Sequence, residues 1–153
     1  MATHSERLKE LGITLPSVVA PLAAYVPAVK VGNQVWTSGQ LPMIDGSLAA
    51  TGKVGAEVSP ENAADYARTA VLNALAAIDA LVGIDKVTRV LKIVGFVSSA
   101  EGFSGQPAVV NGASNLIGEV FGDAGAHARS AVGVSELPLN SPVEIEVIVE
   151  IAE

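Results

Sequence analysis

Cysteine is absent from the 153 residues, which excludes disulfides, Cys-ligated zinc, iron–sulfur clusters and thiol nucleophiles. Histidine is scarce. His4 and His127 are the only two, too few in one chain for a multi-histidine metal site. Charge is thin at 16%, against roughly a quarter in an ordinary soluble chain. Sixteen acidic and nine basic residues leave a net charge of −7. That balance works against a nucleic-acid partner or a polybasic membrane contact, because phosphate binding needs clustered Lys and Arg. No apolar run approaches the roughly 20 residues of a transmembrane helix. The N-terminus, with Glu6, Arg7, Lys9 and Glu10, lacks the apolar core of a signal peptide. GxGxxG, Walker A, GxSxG and HExxH motifs are missing too. A Ser–His–Asp triad would have to run through His127, and nothing in the local sequence supports one. The expectation is a cytoplasmic protein of one domain's length that needs no cofactor and no metal.

Aliphatic side chains are plentiful. Half of the residues are hydrophobic and the mean hydropathy is +0.46, so burial against copies of the same chain is expected. Ser5 suits the cap of a short helix through Leu8 and Leu11, with Gly12 as its stop. Pro16, Pro21 and Pro27 keep the next segment extended. Ala28 to Val31 and Gln34 to Ser38 flank Gly32-Asn33, and glycine first in a two-residue loop predicts a type II′ hairpin. A glycine-containing turn region follows, to about Gly55. Ser59-Pro60-Glu61 marks a strong helix start. Ala67, Val71, Ala74, Leu75, Ile78 and Leu81 then recur at steps of three or four, up to Gly83. Val87 to Ser98 reads as a largely buried strand. A second helix runs from about Ala108 to Gly122, with Val109, Ala113, Leu116, Ile117 and Val120 inward. Strands from Ala128 to Glu136 and from Val143 to Ile151 close the chain. This β-β, α, β, α, β-β order predicts an α+β fold with two helices on one face of a sheet. The other face meets solvent or another subunit, and the low charge favours a subunit.

Period two along Val143 to Ile151 puts Glu144, Glu146 and Glu150 on one face. Either they form a solvated outer face, or one of them lies inside an intersubunit cleft. Arg129 heads an apolar strand. It is either a surface ion-pair group or a bidentate receptor for a carboxylate, which a planar guanidinium holds better than lysine does. Asp65, Asp79 and Glu119 read as solvated helix faces, Trp36 as a residue packed in the sheet, and Ser104-Gly105 as loop.

Together, Ala128-Arg129-Ser130, Leu137-Pro138 and Val143-Glu144-Ile145 resemble the C-terminal signature of the RidA family, also called YjgF/YER057c/UK114 and formerly labelled L-PSP endoribonuclease. Tyr25-Val26-Pro27-Ala28-Val29, Gly32-Asn33, Ser38-Gly39-Gln40-Leu41-Pro42 and Val110-Asn111 through Val120-Phe121-Gly122 agree in order and spacing. The likeness spans about residue 20 to the end. It divides the chain into an N-terminal extension with a short helix, 1–20, and a single RidA-like domain, 21–153. The resemblance implies a chorismate-mutase-like fold and a homotrimer with clefts between subunits. The implied activity is hydrolysis of reactive 2-imino acids to 2-oxo acids and ammonia. By position, Arg129 matches the arginine that holds the substrate carboxylate and Glu144 the glutamate associated with water and proton transfer. Tyr25, Ser38, Gly39 and Asn111 match cleft residues, and so does Ala131, where many relatives carry cysteine. His127 stands where proline or a small residue is common, and the extension marks a longer branch of the family.

The chemistry is coherent with these residues. An imine beside a carboxylate hydrolyses unaided, so one carboxyl group and one orienting arginine suffice, without metal or cofactor. The alternative is a trimer that binds a small 2-oxo acid without turnover. Nuclease activity would need a phosphate-binding cluster that this acidic chain lacks. Chorismate mutase activity would rest on fold analogy alone.

Overall fold

The computed structural model describes residues 2–18, 21 and 23–153. The expected boundary at residues 20 and 21 falls among Val19, Ala20 and Leu22, which lie outside the described residues. The elements in chain order are α1 (His4–Glu10), β1 (Ala28–Val31), β2 (Gln34–Thr37), β3 (Met43–Ile44), β4 (Ser47–Leu48), α2 (Pro60–Val82), β5 (Val87–Ser98), α3 (Gln106–Phe121), β6 (Ala128–Val134) and β7 (Val143–Ile151). The main sheet has the order β1-β2-β7-β5-β6. All neighbours are antiparallel except β5 and β6, which α3 connects in parallel.

The alternation along β7 decides which way the sheet faces. Val143, Ile145, Val147, Val149 and Ile151 are buried under the helices, each contributing roughly 1.5–3 kcal/mol of burial. Glu144, Glu146, Ile148 and Glu150 point to the opposite face. α2 supplies its small stripe of Ala67, Ala70, Val71, Ala74, Leu75 and Ile78. This lets α3 approach so closely that a Cβ on Gly112 would overlap the Ala64 carbonyl, lying 2.7 Å from its carbon. α3 also presses on β5, where a Cβ on Gly95 would stand 2.7 Å from Val110 Cγ1. The α+β architecture with two helices on one face is as read from the pattern.

Several details differ from the sequence reading. The cap of α1 is Thr3, in a reciprocal capping box with Glu6, and not Ser5. The Ser5 backbone N–H and hydroxyl instead donate to Asp85, at 2.8 and 2.6 Å. Gly32 alone of its loop pair has positive φ, at 57°, as a type II′ turn requires. The region before Gly55 contains a second hairpin, β3–β4, turned by Asp45 and Gly46 at φ 50° and 84°. Leu81 is 46% exposed. At about 100° per residue Leu81 keeps the angle of Ala70 and Ala74, but it lies in the last turn of α2, where the half-buried Val82 makes the contact with the core. Trp36 is 48% exposed, because Val35 and Thr37 take the helix-facing positions of β2. Its indole N–H donates to Gln34 Oε1 at 3.0 Å. α3 starts two residues early, at Gln106, and β6 ends at Val134. No helix among the described residues is long and apolar enough to cross a membrane.

Candidate functional site

β2 pairs with β7 as far as Trp36↔Ile148, and the next bridge is Gln40↔Ile145. Between these, residues 37–39 stand against 146 and 147, a bulge of one residue. Thr37 Oγ1 repairs the ladder by accepting the Val147 N–H at 3.0 Å. The bulge brings Gly39 against the Glu144 side chain, where a Cβ would lie 2.8 Å from Cδ. The Ser38 hydroxyl donates to the Val26 carbonyl at 2.6 Å, and the Ser38 N–H to Pro27 O at 2.8 Å. These bonds hold the Tyr25–Pro27 segment beside the bulge, with Tyr25 itself exposed. Asn73, buried on α2, donates to the Leu41 and Met43 carbonyls and anchors the far side. Ser38, Gly39 and Glu144 therefore form one group, with Tyr25 on the segment tied beside it.

Glu144 is half-buried. Burial pushes its carboxyl above the ordinary range, and the charge of Glu146 on the same face adds to the rise. That moves it toward the range in which a carboxylate serves as a general base.

Asn111, Arg129 and Ala131 form the second group, on the helix side of the sheet edge. Arg129 reaches back to α3, where Nη1 donates to Asn111 Oδ1 at 2.8 Å and to Ser114 Oγ at 3.2 Å. Both acceptors are neutral. Among the described residues no carboxylate lies within ion-pair distance of Arg129. The Nε and Nη2 side of the guanidinium can accept a planar anion bidentately. Ala131 follows two residues on, facing the same way and packed against the core.

The two groups do not meet within one chain. Arg129 lies level with Ile93, and Glu144 with Phe96. They sit on opposite faces and two strand spacings apart, roughly 10 Å. The open face around Glu144 carries exposed Val29, Val31, Trp36 and Val132.

Ser114 escaped the sequence reading, and His127 entered it only as a triad candidate without support and as a departure from the family pattern. Ser114 Oγ lies 2.9 Å from His127 Nε2, and His127 Nδ1 lies 2.6 Å from the Gly125 carbonyl. The one available signal was that Ser114 follows Asn111 by three positions and so shares its helix face. Of the other residues singled out, Asp65 is exposed. Asp79 caps the turn after α2 through the Ile84 N–H, Glu119 pairs with Arg68 at 3.5 Å, and Gly105 is the N-cap of α3. Among the described residues no three His, Asp or Glu side chains gather closely enough to hold a metal ion.

The model of the YjgF/chorismate-mutase-like family, which carries an endoribonuclease label, matches residues 5–151. Protein TCP17 of Trypanosoma cruzi is 42% identical over 146 residues, covering 94% of this chain and 91% of its own. A 2-iminobutanoate/2-iminopropanoate deaminase of Dermatophagoides farinae is 34% identical over 140 residues, covering 91% and 94%. The crystal structure of Atu1372 from Agrobacterium tumefaciens, a protein of unknown function, is 48% identical. It superposes with a TM-score of 0.89 over 97% of this chain and 92% of that one.

Proposed function

The chain belongs to the YjgF/chorismate-mutase-like family, and from that premise we propose that it hydrolyses 2-imino acids to 2-oxo acids and ammonia in a cleft shared by two copies of the chain. One observation carries the reading: Arg129 is held by neutral oxygens and, among the described residues, has no carboxylate partner, which is the state of a receptor for a carboxylate from outside. A homotrimer supplies the second copy. The separation of Arg129 from Glu144 and the apolar open face support a cleft shared between copies, and the Dermatophagoides farinae deaminase at 34% identity supports the reaction.

In the proposed reaction Arg129 clamps the carboxylate through Nε and Nη2, and the cleft residues Tyr25, Ser38, Gly39, Asn111 and Ala131 surround the substrate. Glu144 takes a proton from water as the oxygen attacks C2 of the protonated imine. The C=N π pair moves to nitrogen, giving a neutral amino group. The protonated Glu144 then donates to that nitrogen. As C–N breaks and ammonia leaves, the hydroxyl oxygen forms the new C=O and releases its proton. Water and the iminium are consumed; the 2-oxo acid and ammonium are formed. A single placed carboxyl group of this kind contributes about 10²–10⁴-fold.

The test generates 2-iminopropanoate in situ with an amino-acid oxidase and traps surviving imine with semicarbazide. The parent is expected to speed imine loss, and Arg129→Ala to lower kcat/KM at least about a hundredfold with the oligomer intact. Unchanged hydrolysis in Arg129→Ala would remove the clamp from the mechanism. The second reading, a 2-oxo acid binder without turnover, is favoured by Ala131 standing where many relatives have cysteine. Calorimetric binding of 2-oxobutanoate with no acceleration of imine loss would select it. The endoribonuclease label fits poorly with a net charge of −7, which repels RNA phosphates.

A further inference from the structure

Arg129 has two supports, and only Asn111 belongs to the expected cleft. The other, Ser114 Oγ, is itself held from behind. His127 Nδ1 faces the Gly125 carbonyl at 2.6 Å, and a carbonyl only accepts, so this nitrogen carries a proton. In the neutral ring Nε2 is then an acceptor. The group facing it at 2.9 Å is the Ser114 hydroxyl, which donates its single proton there. The Ser114 lone pairs are left for the Arg129 Nη1–H at 3.2 Å. All donors and acceptors along Arg129, Ser114, His127 and Gly125 are matched in one direction.

We propose that Ser114 and His127 are positioning residues for Arg129, a hydrogen-bond relay that orients the guanidinium so that its Nε and Nη2 edge meets a substrate carboxylate. The proposal rests on the reading of Arg129 as the carboxylate clamp. The relay acts on one Nη1 proton and Asn111 on the other. Together they fix rotation about Nε–Cζ, so the fork is pre-organised before the anion arrives. Ser114 does not act as a nucleophile in this arrangement. It lies in the middle of α3 (Gln106–Phe121), where the backbone N–H groups that could hold an oxyanion are spent in the helix. Its distance from Asn111, one helical turn, lets both residues reach the same nitrogen.

Three variants test the relay in the full chain: Ser114→Ala, which removes the link, Ser114→Thr, which restores a hydroxyl, and His127→Phe, which keeps a ring but no acceptor. The first readout is ¹⁵N NMR of rotation about Nε–Cζ in Arg129, its signals assigned by their loss in Arg129→Ala. The second is the calorimetric Kd for 2-oxobutanoate, with KM and kcat for 2-iminopropanoate. In Ser114→Ala and His127→Phe, rotation is expected to quicken about tenfold. Kd and KM should rise by about five- to tenfold, with kcat within about twofold, since a clamp binds ground and transition states alike. Ser114→Thr should recover most of each change. Parental rotation and parental Kd in Ser114→Ala would overturn the proposal, as would equal loss in Ser114→Ala and Ser114→Thr. If rotation quickens as expected while the parent itself binds no 2-oxobutanoate, the relay is upheld and the clamp reading fails.

Discussion

A methyl group at position 39 would lie 2.8 Å from Glu144 Cδ, well inside van der Waals contact. The backbone there is not left-handed; glycine is needed for the close approach of the carboxylate and not for its φ. Gly39→Ala should therefore push Glu144 aside. A displacement of about 1 Å at a catalytic group costs on the order of 10²-fold in turnover, so steady-state kcat is expected to fall by about that factor while the far-UV dichroism stays parental. Parental kcat would mean that the carboxylate works from another position. Glu144 makes a second, thermodynamic prediction. Its folded pKa is raised, first by burial and then by Glu146, so folding favours the neutral acid. That contribution is fully present below the unfolded value, near 4.5, and is lost as pH rises through the higher folded value. Glu144→Gln should melt close to the parent at about pH 3.5 and above it at about pH 8. A melting gap that did not change with pH would contradict the burial argument. At this scale pattern and resemblance singled out Arg129 and Glu144 as candidates. The sequence could not show that Ser114 and His127 reach Arg129, because that depends on how α3 seats over β6, which is settled by the glycine contacts at Gly95 and Gly112.

The elements that alternate or repeat over many residues were legible. β5 and β7 start and end where the pattern placed them, and α2 runs between its Ser59 cap and Gly83. β3 and β4, two residues each, are too short to show alternation, although Asp45-Gly46 is a strong turn pair. α1 was legible as a helix but not in its attachment. Ser5 bonds across 80 residues to Asp85, His4 Nε2 donates to the Val87 carbonyl at 2.7 Å, Arg7 Nε donates to the Glu119 carbonyl at 2.9 Å, and Leu8 is buried. The Ser5 hydroxyl, followed by the Ser5 N–H, holds the Asp85 carboxyl below its usual value of 3.8. The sign is opposite to that of Glu144: stability is present above the unfolded value and lost as pH falls through the folded one. Asp85→Asn should loosen α1 at neutral pH, seen as roughly fivefold faster limited proteolysis between residues 10 and 18. The parent and the variant should converge once the pH drops below the folded value. Equal cleavage at neutral pH would mean that Leu8 and His4 hold the helix without help.

At the scale of the whole molecule, each chain carries Arg129, without a carboxylate partner among the described residues, on the helix side of one sheet edge, and a raised carboxyl on the open face. A catalytic cleft that needs both must draw them from different copies, and closed symmetry then repeats the same pairing at every interface. This makes complementation the decisive measurement. Arg129→Ala and Glu144→Gln chains, each strongly impaired alone at substrate levels below KM, can be unfolded together in equal amounts and refolded. In a ring each cleft takes its arginine side from one chain and its glutamate side from the next. Random mixing then leaves both sides parental in about one quarter of the clefts. The mixture should recover about that share of parental imine hydrolysis, whereas the two refolded proteins combined afterwards should show none until subunits exchange. If both residues came from the same chain, no mixture would contain an intact cleft and no activity would return. Recovery of about one quarter would locate the reaction between copies, with the arginine of one chain facing the glutamate of the next.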